Sequence, residues 1–185
     1  MTGDGRPTSG TGPAVSADVE LLMAERAIRR VLHLYSRGVD RLDLEAVRAC
    51  YWPEGTDDHG DYRGGVDGFI AFLRDVLARF DATNHFLGNV LIDADVENGV
   101  ARSEAYAVAH HRYTRRDGRP ADMVAGLRYV DRMERRSGEW RIAARVCAFD
   151  WWRNDPVAGD CSFGPGFVRG ARSGEDVVYH ILEAR

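Results

Sequence analysis

The chain contains no lysine, and all 25 of its basic residues are arginine. Catalysis through a lysine Schiff base is therefore excluded. The three cysteines, Cys50, Cys147 and Cys161, form no CxxC pair, which predicts buried free thiols rather than a zinc or redox site. A tight metal-binding spacing such as HExxH is missing as well. We therefore expect a protein that works without a metal or another cofactor.

Long apolar runs are also missing, since every apolar run in the sequence is much shorter than the roughly 18 residues that a membrane helix needs. Residues 1–17 are rich in Gly, Ser, Thr and Pro and lack the apolar core of a signal peptide. This composition predicts a disordered leader and a cytoplasmic protein that does not bind membranes. The net charge of -4 argues against nucleic acid as a partner. Frequent Arg, Ala and Gly indicate a bacterial source.

A chain of 185 residues, 44% of them hydrophobic, is long enough for one domain with a core. Apolar residues recur at spacings of three and four over residues 18–42, which predicts a first helix. Asp43 can cap a short second helix over residues 44–52, and Pro53 is expected to end it. A further apolar stripe predicts a third helix over residues 66–80.

The second half of the chain changes to a period of two, which is typical of strands. Four long strands are predicted, over residues 84–96, 100–114, 121–134 and 140–152. The pairs Asn98-Gly99, Asp117-Gly118 and Ser137-Gly138 separate them, and such pairs favour tight hairpin turns. The four strands should therefore form an antiparallel meander. A shorter strand is predicted near residues 55–64.

This order of elements predicts an α+β fold class. We expect a cone-shaped α+β roll, in which three N-terminal helices pack on a curved antiparallel meander sheet and leave a cavity. The roll would cover residues 18–152. Residues 153–185 would form a C-terminal tail that serves either as a lid over the cavity or as a clasp on a neighbouring subunit.

Together with the segments YSRGVD, NHFLGN, AHH and WRIAAR, this order resembles the SnoaL-like branch of the nuclear transport factor 2-like superfamily. Dehydratases of that branch eliminate a leaving group with a histidine in the cone, which is paired with an aspartate at the end of the first helix. The resemblance implies these roles for His85 and Asp40. It also implies a role for Tyr35 and for a second histidine, which His110 matches best, with His111 as the alternative.

The periodicity of the helix and strands gives a separate expectation of which of these side chains are buried or face the cavity. Tyr35 lies within the buried stripe of the first helix, whereas Asp40 falls about 140° away by the helical turn and would be exposed unless the chain changes direction. On the strand that follows, alternation puts His85 and Asn89 on one face, so both are expected to line the cavity. On the next strand His110 shares a face with larger side chains, which favours it over His111.

Three more residues are candidates for contact with a substrate. Arg145 lies in the middle of a strand, where an unpaired charge is costly, so it should meet a carboxylate of the protein or a substrate oxygen. Asp58 and His59 belong to the segment DDHG, and one or the other is expected beside the substrate. A metal site built from this segment, His85 and His110 is the alternative, although the spacing does not favour it.

The hypothesis that follows is a cofactor-independent lyase of the dehydratase type. Its partner would be a hydrophobic, hydroxylated aromatic or polycyclic small molecule, and the Asp40–His85 pair would remove a proton from it. An isomerase or polyketide cyclase could use the same pair, and a non-catalytic binding domain or a dioxygenase β-subunit-like partner are alternatives. The open sheet predicts a homo-oligomer, and the resemblance favours a trimer over a dimer.

Overall fold

The computed structural model describes residues 17–157 and 163–181. Four helices lie within them, at Ala17–Arg41 (α1), Leu44–Ala49 (α2), Val66–Leu77 (α3) and Val177–His180 (α4). None of the helices in these ranges is long and apolar enough to cross a membrane. The predicted leader lies outside the described residues except for Ala17, which begins α1, and Cys161 lies outside them too.

The long helix α1 buries a stripe at the predicted spacing, formed by Ala24, Ile28, Leu32, Tyr35 and Val39. It ends where Leu42 adopts a positive φ of 56°. The Asp43 carboxylate then accepts a hydrogen bond from the amide of Ala46, so the predicted cap of α2 is confirmed. Gly38 allows the two helices to approach closely, since a Cβ there would lie 2.8 Å from Val47 Cγ2.

The second helix is shorter than predicted. It ends at Ala49, and the chain continues directly into a strand that includes Pro53. The strand's pairing explains the difference, because Tyr51 lies opposite Ile142 and the register then shifts before Thr56. Pro53 falls in this irregular stretch, where a missing amide donor costs no ladder hydrogen bond. Tertiary pairing, which the local sequence does not reveal, decided this boundary.

In the described part of the chain, six strands form one sheet in the order β2-β1-β6-β5-β4-β3. Their bounds are Tyr51–Asp58 (β1), Arg63–Gly65 (β2), Ala82–Asp95 (β3), Val100–Thr114 (β4), Pro120–Arg136 (β5) and Glu139–Pro156 (β6). The meander from β3 to β6 is antiparallel, as predicted. The region expected to hold one short strand holds β1 and β2, and β1 lies parallel to β6, so the sheet is mixed.

The curved, unclosed sheet and the N-terminal helices packed on it confirm the expected α+β roll. Apolar side chains of α1 and α3 pack on its concave face, which is rich in alanine along β4. Cys50 and Cys147 are buried and free, as predicted, and burial raises the pKa of their thiols to about 11 and about 12. The core thus leaves one end of the concave face for a cavity between the sheet, α1 and α3.

Candidate active site

Asp40 and His85 form a hydrogen-bonded pair where the last turn of α1 meets the start of β3. One carboxylate oxygen of Asp40 lies 2.7 Å from His85 Nδ1. The other accepts a hydrogen bond of 2.9 Å from the backbone amide of the same histidine. Both side chains are at least 90% buried. The carboxylate therefore fixes the ring from two directions and holds a proton on Nδ1, which leaves Nε2 free to accept one.

Asp40 is buried although the helical wheel favoured its exposure. The reason is that the final turn of α1 is enclosed on several sides, by α2 at Gly38, by β3 at His85, and by the C-terminal segment at Arg41. Burial by itself would raise the pKa of the Asp40 carboxyl. The hydrogen bonds from the His85 ring and amide, together with the charge of His85, outweigh burial and lower that pKa.

His85 opens onto a cavity of about 280 Å³ between α1, α3 and the concave face of the sheet. Its walls are mainly apolar and include Leu73, Phe80, Met123 and Phe149. The volume lies just below the usual range of small-molecule sites, which is about 300 to 1,000 Å³. The space therefore suits a compact hydrophobic molecule with few polar groups.

His111, rather than His110, lies on the cavity wall. The His111 ring is 5.2 Å from the His85 ring and nearly perpendicular to it. His110 points to the other face of β4, where its Nε2 lies 3.2 Å from Asp122. The preference for His110 was wrong because the face of β4 with small residues lines the cavity. The alanines of that face leave space for the cavity beside His111.

His111 is held in its neutral form. Burial, followed by the neighbouring charge of His85, lowers its pKa from 6.5 to about 3. Its Nδ1 is buried and finds no hydrogen-bond partner among the described residues. A neutral imidazole beside His85 can offer a hydrogen bond to a ligand without competing for the proton that His85 accepts.

The segment DDHG ends β1 and sends alternate side chains to opposite faces. His59 lines the cavity, and its Nδ1 lies 3.0 Å from Asp57 Oδ1. Asp58 turns away and pairs with Arg63, so its predicted place beside a substrate is wrong. The sequence did not single out Asp57 as the partner of His59. Strand alternation, which puts residues 57 and 59 on one face, is the signal that could have found it.

Asn89 is exposed on the outer face of the sheet, contrary to the prediction. The register between β3 and β4 shifts between Leu87 and Val90, which marks a β-bulge. Before the bulge His85 and Leu87 face inwards, and after it Val90 does. A single extra residue therefore moves Asn89 from the cavity side to solvent.

Arg145 meets a carboxylate of the protein, not the cavity. Its Nε and Nη2 each donate a hydrogen bond of 2.7 Å to Asp131, and both side chains are fully buried. The guanidinium carbon lies 4.1 Å from the Tyr35 ring centroid and 4.3 Å from that of Tyr129. The predicted contact with a substrate is therefore replaced by a structural ion pair, the other outcome that a mid-strand arginine allows.

Residues 20–146 match the model of the SnoaL-like domain. The chain belongs to the SnoaL-like domain family. The resemblance found in the sequence is thus confirmed, including its place in the nuclear transport factor 2-like superfamily. No curated protein matches the sequence significantly.

Solved structures resemble this SnoaL-like domain over most of its length. A protein of Novosphingobium aromaticivorans assigned as a scytalone dehydratase is 23% identical, with 82% of this chain and 99% of that chain covered and a TM-score of 0.65. A hexachlorocyclohexane dehydrochlorinase of Novosphingobium barchaimii is 16% identical, with 80% and 100% covered and a TM-score of 0.68. A Mycobacterium tuberculosis protein of unknown function is 20% identical, with 93% and 94% covered and a TM-score of 0.60. Identities this low show the shared fold alone.

Tyr35 completes the site of the SnoaL-like domain on the α1 side. It lines the cavity at 1% exposure and packs edge-on against Tyr51 and Tyr129. Burial, and then the neighbouring Tyr129, raises the pKa of Tyr35 well above its ordinary value. The hydroxyl therefore keeps its proton and can act only as a neutral hydrogen-bond donor or acceptor.

No group of three or more His, Cys, Asp or Glu side chains within residues 17–157 and 163–181 has a geometry that could hold a metal ion. The SnoaL-like domain instead brings together His85, His111, His59 and Tyr35 around one apolar space. Two of these histidines have a carboxylate at Nδ1. Such an arrangement can move protons to and from a bound molecule.

Proposed function

We propose that this SnoaL-like protein is a cofactor-independent lyase that eliminates water from a hydrophobic, hydroxylated aromatic or polycyclic molecule. The observation that carries the proposal is the buried Asp40–His85 pair, joined at 2.7 Å and open to an apolar cavity. A histidine oriented by a carboxylate is the usual arrangement of a general base. Apolar walls around it favour a substrate that is mostly hydrocarbon.

In the proposed reaction His85 Nε2 removes a proton from a carbon next to a substrate carbonyl. The electron pair of that C–H bond forms a double bond, and the hydroxyl on the next carbon departs with the electrons of its C–O bond. Asp40 stabilises the positive charge that develops on His85. The Tyr35 hydroxyl, which stays protonated, donates a hydrogen bond to the carbonyl oxygen as negative charge accumulates on it.

The names of two similar structures agree with this reaction class. One is assigned as a scytalone dehydratase and the other is a hexachlorocyclohexane dehydrochlorinase, and both names describe eliminations. They share the roll with this chain at low sequence identity. They therefore support an elimination as the class of reaction and leave the leaving group to be derived from the site itself.

A suitable test uses cyclic β-hydroxy ketones fused to an aromatic ring, because their dehydration gives fluorescent naphthols. The purified protein is expected to form the naphthol, and mass spectrometry should show the loss of one water. Asp40→Asn and His85→Ala should each lower kcat by about 10² to 10⁴. His33→Ala, at an exposed position of α1, is the matched control and should keep the native rate. Full turnover by both site variants would contradict the mechanism.

The same experiment separates the alternatives. Proton removal beside a carbonyl also begins an isomerisation or a polyketide cyclisation, so His85 would serve those reactions equally well. A product of unchanged mass would replace the lyase by an isomerase or cyclase. Saturable binding of the ketone without any product would instead favour a domain that only binds small molecules.

We also propose that the protein is a homo-oligomer, with a trimer favoured over a dimer. The support is the outer face of the sheet, where large apolar side chains of four neighbouring strands are exposed. They include Phe86, Leu91, Val108, Val130, Val146 and Trp151. The ion pairs of Arg128 with Glu104 and Asp150 cross this face. Exposed apolar side chains in such numbers are nevertheless typical of a contact between proteins.

A further inference from the structure

A second histidine–carboxylate pair lies in the same cavity, at the end of β1. His59 Nδ1 is 3.0 Å from one oxygen of Asp57. The other oxygen of Asp57 accepts a hydrogen bond of 2.6 Å from the hydroxyl of Tyr51. Asp57 and Tyr51 are buried to 0% and 1% exposure, so the carboxylate is fixed from both sides. His59 keeps 16% of its side chain exposed and lines the cavity.

The Asp57 carboxylate, like that of Asp40, has one histidine as its basic partner. Within the described residues His59 is the only basic side chain within 4 Å of the Asp57 carboxylate. Arg145 lies opposite Asp57 in the register of β1 and β6, but its Nε and Nη2 donate their hydrogen bonds to Asp131. The negative charge of Asp57 at Nδ1 can stabilise a positively charged imidazole as well as orient the ring, so the pair is able to deliver a proton from His59 Nε2.

The two pairs stand on different walls of the cavity. β1 and β3 are separated in the sheet by β6, β5 and β4, and the sheet curves around the space between them. The His85 ring contacts His111 on the β4 side. The His59 ring contacts Phe69 of α3 at 5.3 Å and Phe149 of β6 at 6.0 Å. A molecule in the cavity can therefore meet one imidazole on each side.

We propose that His59 is a second catalytic residue, the general acid that protonates the leaving hydroxyl, and that Asp57 is the residue that positions it. This inference rests on the proposed elimination. As His85 takes the carbon-bound proton and the C–O bond breaks, His59 Nε2–H gives its proton to the departing oxygen, which leaves as water. His85 then carries an extra proton and His59 lacks one. Exchange with solvent water restores both, so the net reaction is the loss of one water from the substrate.

The assignment narrows the substrate class. Hydroxide is a poor leaving group and needs a proton, whereas a halide departs as a stable anion and gains little from an acid. A cavity with an acid opposite its base is therefore suited to alcohols beside a carbonyl. The Asp57–His59 pair therefore favours dehydration over removal of a halide.

The test compares two leaving groups on one carbon skeleton. The native protein is assayed with a ring-fused β-hydroxy ketone and with the corresponding β-chloro ketone, after subtraction of the spontaneous rates. His59→Ala should lower kcat on the hydroxy ketone by about 10² to 10⁴ and change the chloro ketone rate by less than about fivefold. His85→Ala should lower both rates. His180→Ala, on the exposed surface of α4, is the control and should change neither.

The outcomes separate the two proposals. Equal losses of both rates in His59→Ala, or no loss of either, would overturn the role of His59 while the Asp40–His85 elimination stands. A native protein that converts neither ketone, or a His85→Ala variant that converts both normally, would overturn the elimination and the role of His59 with it. His59→Gln keeps a hydrogen-bonding side chain of similar length. If this variant also loses activity on the hydroxy ketone alone, the loss in His59→Ala is not caused by misfolding.

Asp57 is tested as a positioning residue through the same pair of substrates. Asp57→Asn should lower kcat on the hydroxy ketone and leave KM for both ketones and kcat on the chloro ketone near their native values. A variant that is merely destabilised would lose activity on both ketones in parallel. Asp57→Glu, which restores the charge, should recover part of the lost rate, and failure of both the selectivity and the rescue would contradict the positioning role.

Discussion

His85, His59 and His111 line one cavity, but only the first two have a carboxylate at hydrogen-bond distance from Nδ1. In both pairs the carboxylate holds a proton on Nδ1 and directs the chemistry to Nε2. The His111 Nδ1 has no hydrogen-bond partner within residues 17–157 and 163–181, and burial beside His85 keeps the ring neutral. The three side chains are the same residue type, so their neighbours alone determine whether each one can accept, donate or only share a proton.

The neutral state of His111 predicts how stability depends on pH. Its pKa is lowered from 6.5 to about 3, so below pH 6.5 the unfolded chain binds a proton that the folded protein does not. Stability contributed by the neutral ring is therefore complete above pH 6.5 and falls as the pH drops below that value. The loss is at most about 1.4 kcal/mol for each pH unit.

Urea denaturation of the wild type and of His111→Gln, between about pH 7 and pH 5, measures this effect. The free energy of unfolding of the variant should fall less steeply with decreasing pH than that of the wild type. His33→Gln removes an exposed histidine of α1 and should keep the wild-type slope. Equal slopes for the wild type and His111→Gln would show that folding does not lower the pKa of His111.

At the scale of elements, features encoded by neighbouring residues were predictable from the sequence. The period of α1, the Asp43 cap and the three glycine turns of the meander are all local, and the structure has each of them. The pairing of β1 with β6 joins segments that lie far apart in the sequence, and no residue in or beside either strand predicts it. The bulge after Leu87 also has no reliable signal, and it reverses the faces of everything beyond it in β3.

The candidate site, too, was only partly predictable from the sequence. Asp40 and His85 could be paired only through the family resemblance, because periodicity alone put Asp40 at the surface. His110 was preferred to His111 because the packing face of β4 was assigned the wrong way round. The Asp57–His59 pair lay within reach of strand alternation, but the contact of Asp57 with Tyr51 depends on the three-dimensional fold. Side-chain direction was thus the part of the site that sequence determined least.

The C-terminal segment, the described residues 163–181, packs on its own chain beside the cavity. Asp176 is its main anchor and accepts hydrogen bonds from Arg41 Nη1 at 2.9 Å and from the amides of Ala171 and Val178. Arg172 donates to the carbonyls of Leu77 and Phe80, two residues that line the cavity. These contacts favour a lid as the role of the tail over a clasp on another subunit.

Asp176→Ala should release this segment without unfolding the roll. The change removes three hydrogen bonds that Asp176 accepts, one of which, from the Val178 amide, is the cap of α4, and loss of a cap costs about 0.5 to 2 kcal/mol. Hydrogen–deuterium exchange of amides in residues 171–181 should become faster, while amides of β4 and β5 keep their protection. Glu175→Ala, at the exposed neighbouring position, is the control. Unchanged exchange in Asp176→Ala would mean that other contacts hold the tail.

At the scale of the whole molecule, the sheet has two apolar faces, and the helices cover only one of them. Phe86 lies opposite Val108, which lies opposite Gly126, and Gly126 lies opposite Trp151. The Trp151 indole rests directly on Gly126, since a Cβ there would come within 2.3 Å of it. These side chains form a continuous row across four strands on the outer face. Water contact with such a row is unfavourable, and a second copy of the chain would remove it.

Val108→Arg should therefore separate the copies. Light scattering after gel filtration is expected to give three times the chain mass of 20.6 kDa for the wild type and a lower mass for the variant. Val108 is 42% exposed, so the arginine can extend into water in the monomer and has no such freedom in a packed interface. Leu22→Arg makes the same kind of change at an exposed position of α1 and should leave the mass unchanged. A monomeric wild type, or a Val108→Arg variant of wild-type mass, would contradict assembly through this face.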